Sequence, residues 1–163
     1  MAIDRTQRLH SLLSLCLSIA LTLAVGAIGA VTTAQSVGAW YATLHKPSFN
    51  PPNWLFGPVW TTLYVLMAVA AWRIYVTPDG RARRTALRLY VLQLGLNLAW
   101  SWIFFGLRAP LPALVELVML LAAIVATTIA FARVQPSAAL LLLPYLFWSG
   151  FALLLNFEIW RLN

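Results

Sequence analysis

Residues 11–44 read SLLSLCLSIALTLAVGAIGAVTTAQSVGAWYATL and contain no Asp, Glu, Lys or Arg. Four further runs have the same character, with Glu116 as their single charged residue: 53–72, 89–107, 109–132 and 134–157. Each run is close to or longer than the ~20 apolar residues that cross ~30 Å of hydrocarbon as a helix. The sequence therefore predicts five transmembrane helices.

The composition supports a membrane protein over a soluble one. Hydrophobic residues make up 62% of the chain and charged residues 9%, whereas a soluble domain carries about a quarter charged residues. The apolar runs are continuous and about twice the length of the roughly ten-residue alternating segments of membrane barrels. We expect an all-α, single-domain membrane bundle with helices near 9–34, 53–76, 84–106, 111–133 and 136–158, and a loop at 35–52.

The first apolar run could also be a secretory signal, because Arg5 and Arg8 precede it and Thr32-Thr33-Ala34 is similar to a small-residue cleavage site. Signal peptides have apolar regions of about 7–15 residues, and this run is much longer. The sequence favours a retained helix.

The distribution of basic residues predicts the orientation. Eight arginines lie at the amino end and in the loops near 77–88 and 133, against three basic residues at Lys46, Arg108 and Arg161. The positive-inside rule then places the amino terminus on the cytoplasmic side and the carboxyl terminus across the membrane. Arginines at membrane edges indicate contact with lipid headgroups, so we expect no nucleic-acid partner.

Aromatic and polar side chains recur at helical spacing on three of the predicted helices. The sets are Gly57, Trp60, Thr61 and Tyr64; Gln93, Asn97, Trp100, Ser101 and Phe104; and Tyr145, Trp148, Ser149, Ala152 and Asn156. One interpretation is interhelical packing, with amides bonded across the interfaces. The other is a pocket with aromatic walls and a few polar groups, a surface suited to flat hydrophobic ligands.

The loop before the second helix is unusually aromatic, with Trp40, Tyr41 and Phe49 followed by Trp54. Three prolines at 47, 51 and 52 restrict its backbone to extended or turn geometry. It is either a surface connector or a lid over the pocket. Trp54, Trp72 and Trp160 lie at helix ends, where tryptophan commonly anchors proteins in the membrane interface.

Two ionisable residues have alternative interpretations. Glu116 could be a proton or cation site, as in a proton-coupled exporter, or a structural residue that reaches the interface or Arg108; we expect the structural role. His45 could bind a haem iron, but a single loop histidine is more often solvated. The sequence has no His-Glu-x-x-His pair, cysteine cluster or phosphate-binding loop, so we expect a protein that is not an enzyme and has no metal site or obligatory cofactor.

The chain resembles the tryptophan-rich sensory protein and translocator protein (TspO/MBR) family. The resemblance rests on Trp40-Tyr41, Leu44-x-Lys46-Pro47, Pro51-Pro52-x-Trp54, Gly57-Pro58-Val59-Trp60, Tyr64, Gln93-Leu94-x-Leu96-Asn97-x-x-Trp100-Ser101, Phe104-Phe105-Gly106, Pro144-Tyr145-x-x-Trp148, Phe151-Ala152 and Leu155-Asn156. These motifs follow the family's order from residue 40 to the carboxyl end.

The resemblance implies a five-helix membrane protein, usually a homodimer, with a pocket beneath the first loop that binds porphyrins, including protoporphyrin and haem. Relatives also bind cholesterol and synthetic ligands, and positions matching Trp60 and Trp148 have been tied in some of them to light-dependent porphyrin breakdown. The family's ligand contacts correspond to Tyr41, Pro51, Trp60, Tyr64, Asn97, Trp100, Trp148 and Ala152 here.

Two departures from the family pattern affect what can be carried over. The segment Leu155–Arg161 lacks the Tyr of the animal sterol motif. Arg88 and Leu92 replace small residues of the third helix, although Gly95 and Ala99 form another small face that could pair in a dimer. The sequence thus predicts a membrane receptor or transport protein for porphyrins and similar planar molecules, with a ligand site of Trp40, Tyr41, Pro51, Trp60, Tyr64, Asn97, Trp100, Tyr145, Trp148 and Ala152. A light-dependent degrading enzyme and an exporter using Glu116 are the alternatives.

Overall fold

The computed structural model describes residues 5–163, which are almost entirely helical and contain no strand. Five long helices form the bundle: α1 (Arg5–Val37), α3 (Asn53–Tyr75), α4 (Arg81–Ser101), α5 (Pro110–Val134) and α7 (Leu143–Leu162). Two short helices, α2 (Trp40–Thr43) and α6 (Pro136–Leu140), lie between them, and a π-helical segment, Trp102–Gly106, continues α4. The prediction of an all-α bundle with five membrane spans is confirmed.

The fifth span was predicted as one helix, but it consists of α6 and α7 separated by a turn at residues 141 and 142. Pro144 explains the break, because proline has no N–H to donate and its ring collides with the carbonyl four residues earlier. That carbonyl belongs to Leu140, the last residue of α6. Together α6 and α7 still form a span of 27 residues.

Helix α5 packs against both α4 and α7 and contributes to the core of the bundle. Helix α5 contacts α4 along one side and α7 along another, while α1 lies against α3 and α4. The buried face of α5 repeats every three or four residues through Ala113, Leu117, Leu120 and Ile124, the spacing of one helical face. The largest apolar core includes Leu117, Leu120 and Ile124. A smaller core contains Ala113 together with Tyr41 and Phe104, near the loop before α3.

The outer surface of the bundle is apolar, as expected for a protein surrounded by lipid. Large exposed side chains occur on every long helix, for example Leu17, Val91, Val118 and Phe147, each more than half exposed. Trp54 and Trp160 are exposed near helix ends, whereas the indole of Trp72 donates a 3.0 Å hydrogen bond to the Ser11 carbonyl. The chain is an integral membrane protein that crosses the bilayer several times.

Candidate ligand cavity

A cavity of about 650 Å³ opens between α1, α3, α7 and the π-helical segment, beneath the loop that joins α1 to α3. Most of its lining is apolar. Its walls are formed by Leu23, Gly26, Ala27, Gly29, Ala30, Thr33, Ala34, Val37, Gly38, Tyr41, Asn53, Phe56, Gly57, Trp60, Thr61, Tyr64, Trp100, Ser101, Phe104, Phe105, Trp148, Phe151, Ala152, Leu155, Asn156 and Ile159.

The path of α1 creates this space. In its first half α1 follows α3, where the Ser18 hydroxyl donates to the Ala68 carbonyl at 2.8 Å. Further along it follows the end of α4 and the π-helical segment, where the Ser36 hydroxyl donates to the Phe105 carbonyl at 2.6 Å. Since α1 moves from one neighbour to the other, a cleft remains between α1 and α3 beneath the loop.

Glycine permits the close approach at the point where α1 leaves α3. A Cβ atom on Gly26 would overlap the ring of Tyr64. Without that atom, the Tyr64 ring packs against α1 at Gly26, and its hydroxyl bonds Asn97 in the bundle interior. Gly26 therefore sets the position of one aromatic wall.

The π-helical segment provides the wall opposite α3. Its wider turn is closed by the Leu107 N–H, which donates to the Trp102 carbonyl at 2.8 Å. Two consecutive side chains of the segment, Phe104 and Phe105, line the cavity. The Trp100 ring stacks on Phe104 with centroids 5.4 Å apart.

The remaining aromatic walls come from α3 and α7. Trp60 lies 5.6 Å from Tyr64 and 6.2 Å from Tyr145, and Trp148 lies 5.5 Å from Phe151, all measured between ring centroids. The indoles of Trp60, Trp100 and Trp148 thus face one cavity from three directions. Aromatic rings fixed by neighbouring rings present rigid flat surfaces to a guest.

A hydrogen-bonded chain runs from the cavity wall into the bundle. The Tyr64 hydroxyl donates to Asn97 Oδ1 at 2.6 Å, and Asn97 Nδ2 donates to the Tyr145 hydroxyl at 3.1 Å. A second link joins the Trp100 indole to Asn156 Oδ1 at 3.1 Å, and Asn156 Nδ2 donates to the Pro110 carbonyl at 2.8 Å. These bonds hold two wall residues, Tyr64 and Trp100, in place.

The loop above the cavity is fastened at several points. The Tyr41 hydroxyl donates to Asn50 Oδ1 at 2.8 Å, and Lys46 Nζ lies 4.8 Å from the centroid of the Tyr41 ring. Burial raises the pKa of Tyr41 to about 12, although the bond to Asn50 opposes the shift. The Tyr41 phenol is therefore neutral at physiological pH. At the far side of the loop, the side chain of Asn163 bonds both the N–H and the carbonyl of His45 at 3.0 Å.

The structure separates the residues of the predicted site into three groups. Six line the cavity: Tyr41, Trp60, Tyr64, Trp100, Trp148 and Ala152. Asn97 and Tyr145 lie behind Tyr64, at 2% and 1% exposure, and act on the cavity through the hydrogen-bonded chain. Trp40 packs edge-on against Phe104 and faces a smaller depression beside Arg108, and Pro51 accepts a hydrogen bond from Asn50 in the loop.

Sequence reasoning missed one whole wall of the cavity. Small residues of α1, namely Gly26, Ala27, Gly29, Ala30 and Ala34, form it together with Thr33. Their spacing of three and four was a usable signal, because it places them on one helical face. Phe56, Phe105 and Phe151 were also missed as wall residues.

The expected position of Glu116 was wrong. Its side chain does not reach the interface or Arg108: it is 4% exposed, and neither carboxyl oxygen has a hydrogen-bond partner in the described part of the chain. The reason is its place on the buried face of α5, between Ala113 and Leu120. Within residues 5–163 no three His, Cys, Asp or Glu side chains are grouped so as to hold a metal ion.

The fold and the cavity define a polytopic helical membrane protein with an aromatic chamber between its helices. The TspO/MBR family model matches residues 18–161. The chain belongs to the TspO/MBR family.

Relatives match over three quarters or more of the chain. The tryptophan-rich protein TspO of Chlorobaculum tepidum is 47% identical over 153 residues, 93% of this chain and 97% of that protein. The TspO protein of Archaeoglobus fulgidus is 47% identical over 156 residues, covering 94% and 99%. The human translocator protein is 46% identical over 126 residues, covering 76% and 75%.

Proposed function

We propose that this protein binds porphyrins, protoporphyrin and haem among them, in the aromatic cavity, and that it senses, sequesters or moves them. The observation that carries the proposal is the convergence of Trp60, Trp100 and Trp148 on one cavity of about 650 Å³. That volume lies within the range of small-molecule sites. Flat indole walls favour planar aromatic guests over sugars or ions. The names of relatives, translocator protein and tryptophan-rich sensory protein, agree with a receptor or transport role.

The loop provides a cation for the acidic edge of such a ligand. Lys46 lies over the Tyr41 ring, and Tyr41 lines the cavity. A macrocycle between the indoles with its carboxylates toward the loop would bring them near this ammonium group, and a paired carboxylate is less costly near lipid than a free one. His45 is exposed and not a wall residue, so we assign no iron ligand.

The cleft between α1 and α3 provides a route from the bilayer. Ala27 and Ala30 of α1 and Gly57 and Thr61 of α3 line the cavity and are exposed. A hydrophobic guest dissolved in lipid could therefore enter sideways without passing through the loop. This geometry suits ligands that partition into membranes.

The test is a titration of the purified protein with protoporphyrin, followed by quenching of tryptophan fluorescence. Trp148→Ala removes one stacking wall and should weaken affinity about fivefold or more, the equivalent of ~1 kcal/mol of ring contact. Trp102→Ala is the matched control, since Trp102 is 55% exposed and is not a wall residue. Helicity should be unchanged in both variants.

Equal affinities for the wild type, Trp148→Ala and Trp102→Ala would contradict the proposed site. The same titration under illumination separates binding from turnover, which is relevant because Trp60 and Trp148 both line the cavity. A binding protein yields no porphyrin product beyond one equivalent. Product that accumulates under light and disappears in Trp60→Phe would instead establish the degrading enzyme.

A further inference from the structure

Three polar side chains outside the cavity wall are buried without partners. Glu116 is 4% exposed, Gln93 1% and Ser149 1%. Both carboxyl oxygens of Glu116, both amide atoms of Gln93 and the hydroxyl of Ser149 have no hydrogen-bond partner among residues 5–163. Unpartnered buried polar groups are costly and uncommon in native structures. Three of them in one bundle call for a functional explanation.

The three side chains lie on helices that carry, or pack against, the two partners of the Asn97–Tyr145 hydrogen bond. Gln93 lies one turn before Asn97 on α4, and Ser149 lies one turn after Tyr145 on α7, so each shares a helical face with one partner of the Asn97–Tyr145 bond. Glu116 is on α5, which packs against both α4 and α7.

No cation offsets the Glu116 carboxyl within the described chain. The ion pairs are Arg84–Asp79 and Arg161–Glu158, and Arg108 is exposed. Of the elements packed against α5, the π-helical segment and α6 contain no titratable side chain. Helix α7 presents Tyr145, and the buried tyrosine of α4, Tyr90, is bonded to Thr22. An ionised carboxylate in this setting would be unpaired in an apolar interior, which is strongly unfavourable.

We propose that Glu116, Gln93 and Ser149 form a buried proton-binding site on the side of the bundle away from the cavity. A neutral carboxyl group has one donor and one free acceptor, the complement of the amide of Gln93, and the Ser149 hydroxyl can take up the remaining acceptor. With the proton bound the site is uncharged, and rotation of these side chains can pair polar atoms that have no partner in the structure. Loss of the proton leaves a carboxylate that the Gln93 amide and the Ser149 hydroxyl alone can stabilise.

The hydrogen-bonded chain connects this site to the cavity. Tyr64, a wall residue, donates to Asn97, and Asn97 donates to the Tyr145 hydroxyl. The Tyr145 hydroxyl thus keeps its own proton for an acceptor, and Ser149 lies one turn further along the same face of α7. A ligand that moves Tyr64 changes this chain, so ligand binding and proton occupancy should affect each other reciprocally. This coupling depends on the proposed function, whereas the proton site does not.

Infrared difference spectroscopy in lipid at neutral pH tests the site itself. The C=O stretching band of a protonated carboxyl group should be present in the wild type, absent in Glu116→Gln and retained in Glu158→Gln, whose carboxylate pairs with Arg161 at 2.6 Å. Gln93→Leu should shift the band because the acid loses its partner, and Gln35→Leu, at an exposed position, should not. Equal spectra for wild type and Glu116→Gln, or a Glu116 band that appears only when sodium is removed, would overturn the proposal.

Proton exchange measured with a pH indicator during protoporphyrin binding tests the coupling. The wild type should take up or release protons as it binds, and Glu116→Gln should bind with that exchange abolished. Equal proton exchange in the two proteins would overturn the coupling. If the infrared band is present but protoporphyrin does not bind, the proposed function fails and the proton site stands. If protoporphyrin binds but the infrared band is missing, the proton site fails and the proposed function stands.

Discussion

At the scale of single residues, Tyr64 connects the parts of the candidate site. Its ring faces Gly26 and lies 5.6 Å from the Trp60 ring, and its hydroxyl bonds Asn97. Helical spacing placed Trp60 and Tyr64 on one face of α3 and Asn97 on one face of α4, but spacing does not predict depth. Asn97 does not line the cavity; Tyr64, which does, donates its hydroxyl hydrogen bond to the Asn97 side chain.

The sequence analysis did not predict that small residues of α1 line the cavity, and the reason is physical. A cavity exists where side chains are short, so the wall made by Gly26, Gly29 and Ala30 carries no aromatic or polar marker. Glu116 shows the opposite limit. We expected the charged side chain of Glu116 to extend to the membrane interface. The apolar residues beside it on α5 are buried, however, and they place Glu116 on the core-facing side of the helix.

Gly26→Ala tests the close approach of α1 and α3. The added methyl group would overlap the Tyr64 ring, and we expect a loss of stability of about 1–3 kcal/mol, typical of overpacking, together with weaker protoporphyrin binding. Thermal unfolding and the quenching titration measure both effects. Gly150→Ala is the control, because no atom lies within 4 Å of the Cβ it would add. If both variants behave alike, Gly26 does not position Tyr64.

At the scale of elements, the charge-free runs predicted the five spans because crossing lipid requires length and apolarity, both of which are read directly from sequence. Two irregularities were not predicted. The fifth run was expected to form one helix, but the chain breaks into α6 and α7 because a turn forms just before Pro144. The π-helical segment has no comparable marker, since its wider turn depends on the tertiary contacts of residues 102–106.

The bond from Ser36 to the Phe105 carbonyl is one such contact. Ser36→Ala would remove the donor and leave a carbonyl of the π-helical segment without this partner, so we expect a loss of about 1 kcal/mol in unfolding free energy. Reversible unfolding in detergent measures it. Ser48→Ala, at an exposed loop position, should have little effect. A Ser36→Ala protein as stable as the Ser48→Ala protein would show that this bond does not support the segment.

At the scale of the whole molecule, the bundle has a basic end and an end covered by the aromatic loop. Arg81, Arg83, Arg84 and Arg88 cluster at the junction of α3 and α4, where Arg83 lies 5.1 Å from the centroid of the Tyr75 ring. Lys46 and Arg108 lie near the opposite end. Charge alone predicts which end faces the cytoplasm, so the orientation stays a prediction.

Fusion reporters test that orientation. Alkaline phosphatase, which is active only outside the cytoplasm, should be active when fused after Asn163 and inactive when inserted at Asp79 in the loop between α3 and α4. A fluorescent protein that matures in the cytoplasm should show the opposite pattern. Reversed activities would mean that the basic end faces outward and the loop cavity faces the cytoplasm.

The central claim is that three indoles on separate helices form one binding surface for a planar guest. The most direct measurement is a crystal structure of the protein with protoporphyrin bound. We predict the macrocycle between α1, α3 and α7, in contact with Trp60 and Trp148, with its carboxylates toward Lys46. A macrocycle bound on the outer surface of the bundle, with the cavity unchanged, would contradict the claim.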